Sequence, residues 1–196
     1  LLTALSQEAT LSLVCQRLGV TAVPEPVAAL IRTKAEGNPF YSLELALALR
    51  DTGLLVIADG EGRLAEGRAD LSAVDLPDTV QGVITSRIDR LPPPQQLTLK
   101  VASVIGRFFR AAMLWGVYPQ LGEFAKVTAD LDALGRLDLT SQDEPEPELA
   151  YLFKHVLTQE VVYESLPYAT RAYLHEQIGQ YLERTSGGNL DHLVNL

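Results

Sequence analysis

The sequence predicts a mainly α-helical fold, in which a small helical domain is followed by a winged-helix domain with a short β-hairpin. Apolar residues recur at helical spacing along most of the chain, and glycine or proline interrupts them at short intervals. The spacing changes to alternation between Leu137 and Phe153. Hydrophobic residues make up 47% of the 196 residues and charged residues 21%, which is typical of a globular chain.

The first domain, predicted over residues 1–66, contains three helices and a small hairpin. Its first helix starts after Ser6, whose hydroxyl can cap it, and ends at Gly19. Two short apolar runs flank Asp59-Gly60, which predicts a tight hairpin turn. The polar segment 67–77 is predicted to be a linker to the second domain.

The second and third helices meet at Gly37-Asn38-Pro39. The second helix, opened by Pro24 and Pro26, closes at Gly37. Pro39 takes the first position of the third helix, where its missing N–H costs nothing. The third helix is apolar on nearly every side, so we expect it to be covered on more than one face. The spacing alone describes an ordinary helix–helix corner.

Residues 78–185 are predicted to form the second domain. Asp78 and Gln81 have the spacing of a capping box at the start of its first helix. Further helices follow, and alternating apolar residues on both sides of an acidic turn then predict a β-hairpin. Helices followed by a two-stranded wing are the order of a winged-helix domain, and two more helices complete it.

Three predictions concern single side chains. The only cysteine, Cys15, is expected to be a buried structural thiol, and it excludes an internal disulfide. Arg87 and Arg90 are expected to be solvated surface residues. Phe108 and Phe109 are expected to anchor the core.

The sequence contains no motif of an enzyme active site. It lacks a phosphate-binding loop, a dinucleotide fingerprint and a nucleophile elbow. The histidines, His155, His175 and His192, are too far apart in sequence to have metal-ligand spacing. We therefore expect no catalytic residue and no metal site in this chain.

The charge distribution argues against nucleic acid and membranes as direct partners. The formal net charge is −9, and no apolar run reaches the length of a membrane span. A winged helix often binds DNA through the helix before the wing. Here that helix carries Glu123, Asp130 and Asp132 against Lys126 and Arg136, and the wing tip is acidic. A DNA-binding transcription module is kept as an alternative.

Four stretches, in this order, resemble the STAND class of signal-transducing ATPases. The most similar members are the predicted ATPase modules found beside class III adenylate cyclases, protein kinases and LuxR-type regulators. The resemblance covers nearly the whole chain, and it lies in "AEGNPFYSLELALALRDTGLL", "LPDTVQGVITSRIDRLP", "ASVIGRFF" and "YLFKHVLTQEVVYESLPYATRAYLHEQIGQYLE".

The resemblance implies that this chain is the lid and the winged helix of a longer cytoplasmic protein. A nucleotide-binding domain with both Walker motifs would precede Leu1, and helical repeats would begin within 186–196. The parent would be an ATPase that uses ATP or ADP with Mg²⁺, joined to an output domain such as an adenylate cyclase. An adaptor that keeps the fold without nucleotide switching is a further alternative.

The resemblance also implies a nucleotide-facing site. Gly37, Asn38 and Pro39 match the Gly-x-Pro motif of the family lid, so Pro39 would pack near adenine, with free N–H groups at the helix start beside it. His155, which follows the predicted hairpin, would reach the ADP phosphates. The better-known form of that second motif, Met-His-Asp, is absent here. On the residues alone, His155 is a helix-capping or surface residue.

Overall fold

The chain folds mainly as α-helices, in two units that comprise Leu1–Arg87 and Ile88–Leu196. The computed structural model describes residues 4–66, 71, 76–145 and 149–185. Most of the predicted linker, the wing-tip residues Glu146 and Glu148, and the predicted repeat helix within 186–196 lie outside the described residues. The prediction of a mainly α fold is confirmed.

The first unit consists of helices and one hairpin. Its described elements are α1 (Gln7–Leu18), α2 (Glu25–Ala35), α3 (Pro39–Asp51), β1 (Leu55–Ala58), β2 (Glu61–Leu64) and α4 (Val80–Asp89). The division between the two units falls inside α4.

Local signals in the sequence set the ends of α1. Ser6 Oγ accepts a hydrogen bond from Ala9 N at 3.2 Å, and this satisfies a donor that the helix leaves unpaired. Gly19 follows the last helical residue with a left-handed φ of 69°. The predicted cap and the predicted stop are both confirmed.

Helix α3 forms the centre of the core of the first unit. Eight of its residues are buried, and it packs against α1, α2 and β1. Val14 of α1 and Ile31 of α2 belong to the same cluster and are fully buried. Burying a side chain of this size stabilises a fold by about 1.5–3 kcal/mol. The expectation that α3 is covered on more than one face is confirmed.

The hairpin of the first unit pairs Leu55–Ala58 with Glu61–Leu64 in antiparallel register. Asp59 and Gly60 connect the strands with φ of 53° and 76°. Two successive positive φ angles define a turn whose twist matches that of the strands. The hairpin predicted around Asp59-Gly60 is confirmed.

The second unit contains the remaining helices and a small sheet. Its described elements are α5 (Pro93–Ile105), β3 (Phe108–Arg110), α6 (Ala111–Val117), a 3₁₀ turn (Pro119–Leu121), α7 (Phe124–Arg136), β4 (Thr140–Glu144), β5 (Ala150–Phe153), α8 (Val156–Glu164) and α9 (Tyr168–Thr185).

The sheet of the second unit has three strands in the order β3-β5-β4. Strand β5 is central, with Phe109 opposite Tyr151 on one side and Thr140 opposite Phe153 on the other. The unit thus contains one helix, a strand, two further helices and a hairpin whose second strand pairs with the first strand. The sequence predicted the hairpin but not β3, because three residues are too few to show alternation.

The chain enters the wing later than predicted. Helix α7 ends at Arg136, and Asp138 turns the chain with a φ of 63°. Leu137 and Leu139, which were predicted to open the first strand, therefore precede β4. Lys154 Nζ donates to Asp138 Oδ1 at 2.6 Å and ties this turn to the end of the wing.

The predicted cap of α4 is wrong, and the prediction that Phe108 and Phe109 both anchor the core is confirmed only for Phe109. Thr79, and not Asp78, caps α4, since Thr79 Oγ1 accepts from Gly82 N at 3.1 Å directly before the first helical residue. Phe109 is 1% exposed, whereas Phe108 is 44% exposed. Successive residues of a strand point to opposite faces, so only one of two adjacent phenylalanines can enter the core.

Candidate functional site

Two consecutive residues in the left-handed region form the turn between α2 and α3. Helix α2 ends at Ala35, and Glu36 and Gly37 follow with φ of 49° and 78°. Asn38 returns to an extended conformation, and its N–H donates to the Ala35 carbonyl at 2.8 Å. The chain therefore reverses out of one helix and into the next within three residues, which glycine permits at little steric cost.

Asn38 and Pro39 start α3 together. Asn38 Oδ1 accepts from Tyr41 N at 3.0 Å, and the Asn38 carbonyl accepts from Ser42 N at 3.0 Å and from Ser42 Oγ at 2.7 Å. Pro39 occupies the first helical position, as predicted. Both Asn38 and Pro39 are exposed, so this side of the corner is accessible.

Fewer backbone donors are available at the corner than the sequence suggested. Asn38 accepts from both Tyr41 N and Ser42 N, and Pro39 has no N–H. The expectation of a set of free N–H groups at this helix start is therefore wrong. The corner offers an apolar ring and side chains rather than a cradle of backbone amides.

Gly37 also lies against the segment that precedes α1. Leu5 N donates to the Gly37 carbonyl at 3.0 Å, and a Cβ added at Gly37 would come within 2.6 Å of the Leu5 carbonyl oxygen. Beside this contact is a cavity of about 220 Å³, which is lined by Leu5, Gln7, Thr10, Arg32, Glu36 and Gly37. The Thr10 hydroxyl is buried and has no hydrogen-bond partner among the described residues.

His155 lies in the second unit, at the N-cap position of α8. Its carbonyl accepts from Thr158 N at 3.1 Å and from Gln159 N at 3.4 Å, and its backbone is extended. The side chain is half-buried and makes no capping hydrogen bond. Side-chain capping therefore does not explain why a histidine occupies this position.

A buried cluster of charged groups joins α3 to α4, and the sequence prediction missed it. Arg87 Nη1 donates to Glu44 Oε2 at 2.6 Å, and Arg87 Nε donates to Asp51 Oδ2 at 2.9 Å. The side chains of Arg87 and Glu44 are each 1% exposed. Arg50 Nη2 completes the group with a bond of 2.8 Å to Asp51 Oδ1. The prediction that Arg87 is a solvated surface residue is wrong.

Two signals in the sequence could have revealed this cluster. Glu44 is the only carboxylate between Pro39 and Arg50, in the middle of a helix that is apolar on nearly every side. A charge in such a helix must be paired, because an isolated buried charge is very costly. Arg87 also falls on the buried stripe of α4, one turn after Val83 and Ile84.

The outer face of α7 and the described part of the wing are richer in acidic than in basic groups. The exposed acidic side chains are those of Glu123, Asp132, Asp143 and Glu144. Exposed bases are present only on α7, where Lys126 Nζ lies 3.4 Å from Asp130 Oδ2 and Arg136 occupies the last turn. Such a face repels phosphate.

One tyrosine links the sheet to this face. Tyr151 is buried on β5, and its hydroxyl donates to Asp132 Oδ1 at 3.2 Å. Burial raises the pKa of Tyr151 to about 12, and the charge of Asp132 and the hydrogen bond to it act in the same direction. The hydroxyl therefore keeps its proton at every physiological pH.

Cys15 is half-buried and not fully buried, which corrects the sequence prediction. It lies on a surface groove of about 580 Å³ that runs between α1 and α2.

The described part of the chain has no cluster of three or more histidine, cysteine, aspartate or glutamate side chains that could hold a metal ion. None of the helices described is both long and apolar enough to cross a bilayer.

Comparison with protein families finds a match to part of the chain. Residues 6–63 match a family described as a domain of unknown function (DUF8739). The matched segment is less than half of the chain, and it runs from the cap of α1 to the second strand of the first hairpin. It contains the Gly37-Asn38-Pro39 corner. A comparison with curated proteins finds no match.

Proposed function

We propose that this chain is the lid and winged-helix portion of a nucleotide-switched signalling ATPase of the STAND class. The observation that carries the proposal is the Gly37-Asn38-Pro39 corner, whose residues match the Gly-x-Pro motif of the family that the sequence resembles and which presents an exposed proline at a helix start. In this proposal the lid closes over ATP or ADP that is held by a nucleotide-binding domain before Leu1.

The residues at the corner fit the base of a nucleotide better than its phosphates. A rigid pyrrolidine gives apolar contact to a flat ring, and Pro39 is exposed at the start of α3, where such a ring could reach it. The adjoining cavity contains the Thr10 hydroxyl, which lacks a partner within the described residues. The chain has no phosphate loop, so the ligands for phosphate and Mg²⁺ would come from the preceding domain.

His155 is the proposed contact to the ADP phosphates from the winged helix. An imidazole N–H can donate to a phosphate oxygen, and its charge can change near neutral pH. His155 directly precedes α8, and its side chain is half-buried. ADP would favour a closed state, and ATP with an inducer would favour an open state, because each ligand binds one state better.

The remaining features of the proposal concern location and partners. The protein would be cytoplasmic, and its partners would be the preceding nucleotide-binding domain and the following helical repeats of the same polypeptide.

Direct DNA binding is disfavoured by the acidic exposed side chains of α7 and the wing. A mobility-shift assay at low salt tests that alternative, since tight sequence-specific binding would reverse the ranking.

The test of the corner uses a polypeptide in which this chain follows its nucleotide-binding domain. Pro39→Asp should weaken the binding of fluorescent ADP by about tenfold or more, because it places a charge where an apolar ring is expected. Pro93→Asp is the matched control, since Pro93 is also an exposed proline at the first position of a helix. Equal affinities in both variants would remove the adenine contact.

The test of His155 uses the same polypeptide. His155→Ala should accelerate ADP release and raise the basal output, whereas His175→Ala, at an exposed position on α9, should change neither. Unchanged ADP retention in His155→Ala would end the phosphate-contact role. The isolated chain should bind ATP weakly or not at all, and calorimetry that shows micromolar binding would contradict the assignment of phosphate ligands to another domain.

A further inference from the structure

Residues 76–78 are fastened to the two helices that form the corner. Lys34 Nζ, on α2, donates to the Leu76 carbonyl at 2.9 Å and to Asp78 Oδ1 at 2.5 Å. The Tyr41 hydroxyl, on α3, donates to the Pro77 carbonyl at 2.9 Å. Leu76 and Tyr41 are 5% and 6% exposed, so these bonds satisfy polar groups at the edge of the core.

The two donors stand on either side of the Gly37-Asn38-Pro39 corner. Lys34 precedes Gly37 by three residues, and Tyr41 follows Pro39 by two. Tyr41 is also tied to the corner itself, because its N–H donates to Asn38 Oδ1 at 3.0 Å. A single residue thus connects the cap of α3, through its backbone N–H, to residues 76–78, through its hydroxyl.

The fastened segment leads directly into α4. A Cβ added at Gly82 would lie 2.6 Å from the Pro77 Cβ, so Pro77 packs closely on the first turn of α4. That turn is held by Thr79, whose hydroxyl accepts from Gly82 N at 3.1 Å and whose carbonyl accepts from Val83 N at 3.0 Å. Pro77 therefore lies between the Tyr41 hydroxyl and the start of α4.

We infer that Lys34 and Tyr41 are positioning residues, which form a clasp that couples the conformation of the Gly37-Asn38-Pro39 corner to residues 76–78 and the first turn of α4. A displacement of the corner changes the geometry of both donors, and the carbonyls of Leu76 and Pro77 then lose their partners. The part of this inference that concerns nucleotide rests on the proposed function, and the coupling itself does not.

The ionisation behaviour of the Tyr41 hydroxyl suits a hydrogen-bond donor that keeps its proton. Burial raises the pKa of its hydroxyl above the usual value, with the charge of Asp78 acting in the same direction and the charge of Lys34 in the opposite one. The hydroxyl therefore remains protonated and able to donate across the neutral range. Lys34 contributes a charged donor, which binds a carbonyl and a carboxylate more strongly than a neutral donor would.

The clasp is tested in the chain itself by amide hydrogen exchange. Tyr41→Phe keeps the ring and removes only the hydroxyl. It should accelerate exchange of the Gly82 and Val83 amides by about fivefold, which is the effect of losing one ordinary hydrogen bond. Both amides are bonded to Thr79, so a role of Tyr41 confined to α2 and α3 would leave their exchange unchanged.

Two control variants sharpen the exchange experiment. Tyr151→Phe removes a buried hydroxyl that donates to Asp132 in the second unit, and it should not affect Gly82 or Val83. Lys34→Met should act like Tyr41→Phe, and Lys34→Arg should restore most of the protection because arginine can donate to the same two oxygens. Equal exchange in Tyr41→Phe and the original chain would overturn the clasp.

The link to nucleotide is tested by ADP release from the polypeptide that includes the nucleotide-binding domain. Tyr41→Phe and Lys34→Met should each accelerate release by about threefold to tenfold, although neither changes the corner sequence. If Pro39→Asp weakens ADP binding but Tyr41→Phe leaves release unchanged, the coupling is wrong and the proposed function stands. If Pro39→Asp has no effect while the exchange results hold, the proposed function fails and the clasp stands.

Discussion

The first unit joins α3 to α4 through buried charges, whereas the second unit joins the strands of its sheet through aromatic rings. In the first, Arg87 is enclosed with Glu44 and Asp51. In the second, the Phe109 ring stacks on Tyr151 with centroids 6.2 Å apart, and it meets Phe153 at 5.8 Å and an angle of 60°. Both contacts lie between residues far apart in sequence.

The ion cluster and the aromatic cluster respond differently to substitution. An ion cluster depends on every partner, because removal of one charge leaves another buried without compensation. An aromatic cluster depends on volume and contact, so its loss is graded with the size of the group removed. The contact between α3 and α4 in the first unit is therefore sensitive to the loss of any one charge. The contact between the aromatic rings in the second unit tolerates substitutions that keep most of the buried volume.

Disruption of the ion cluster formed by Arg87, Glu44 and Asp51 should have the largest effect on the free energy of unfolding. Arg87→Ala should lower the free energy of unfolding by about 3–5 kcal/mol, because it removes the guanidinium that compensates the buried charge of Glu44. Urea unfolding followed by circular dichroism measures this loss. Arg63→Ala is the control, since Arg63 forms an ion pair with Glu61 on an exposed hairpin and should cost less than about 1 kcal/mol.

A double variant separates charge from shape in the same cluster. Arg87→Met with Glu44→Met replaces two enclosed ions by apolar side chains, and it should recover at least about half of the loss in Arg87→Ala. A double variant as unstable as Arg87→Ala would show that the ion pair itself, and not the absence of an unpaired charge, stabilises this contact.

The next prediction uses pH to test the burial of Tyr151 in the second unit. The pKa of Tyr151 rises from 10.0 to about 12 on folding, so the folded state holds this proton more tightly than the unfolded chain. The contribution is complete below pH 10 and is lost as the pH rises from 10 to about 12, with a total of at most about 3 kcal/mol.

Tyr151→Phe should remove this alkaline loss of stability. Urea unfolding at several pH values above about 9 compares its slope with that of the original chain. Tyr168→Phe is the control, since Tyr168 is 86% exposed and should leave the slope unchanged. Parallel slopes in Tyr151→Phe and the original chain would contradict the assignment to Tyr151.

The smallest effect on the free energy of unfolding is expected when a ring of the aromatic cluster is replaced by a smaller side chain. Phe153→Leu should lower the free energy of unfolding by about 2 kcal/mol, because it removes three buried carbons and leaves a small cavity. Fluorescence of Trp115, the only tryptophan, reports unfolding of the second unit. Phe108→Leu, at a position that is 44% exposed, should change the stability by less than about 0.5 kcal/mol. Equal losses would argue against a graded, volume-dependent core.

The sequence predicted the backbone path of the candidate site, but it did not predict the hydrogen bonds around that site. The position of Pro39 and the end of α2 near Gly37 follow from residues that are adjacent in sequence, and the corner forms as expected. The use of the nearby N–H groups by Asn38 was not predicted. The partners of Lys34 and Tyr41 lie 36 to 44 residues away, and periodicity carries no signal for such pairs.

The sequence by itself determined the helical class, the cap at Ser6, the stop at Gly19 and the turn at Asp59-Gly60. These features depend on φ angles and hydrogen bonds that a residue makes within a few positions of itself. The tertiary structure alone decided that Arg87 is buried with Glu44 and that Phe109 enters the core while Phe108 does not. It also decided that Pro77 is held by Tyr41. Those outcomes depend on which distant surface each side chain meets, and only the packed chain brings those surfaces together.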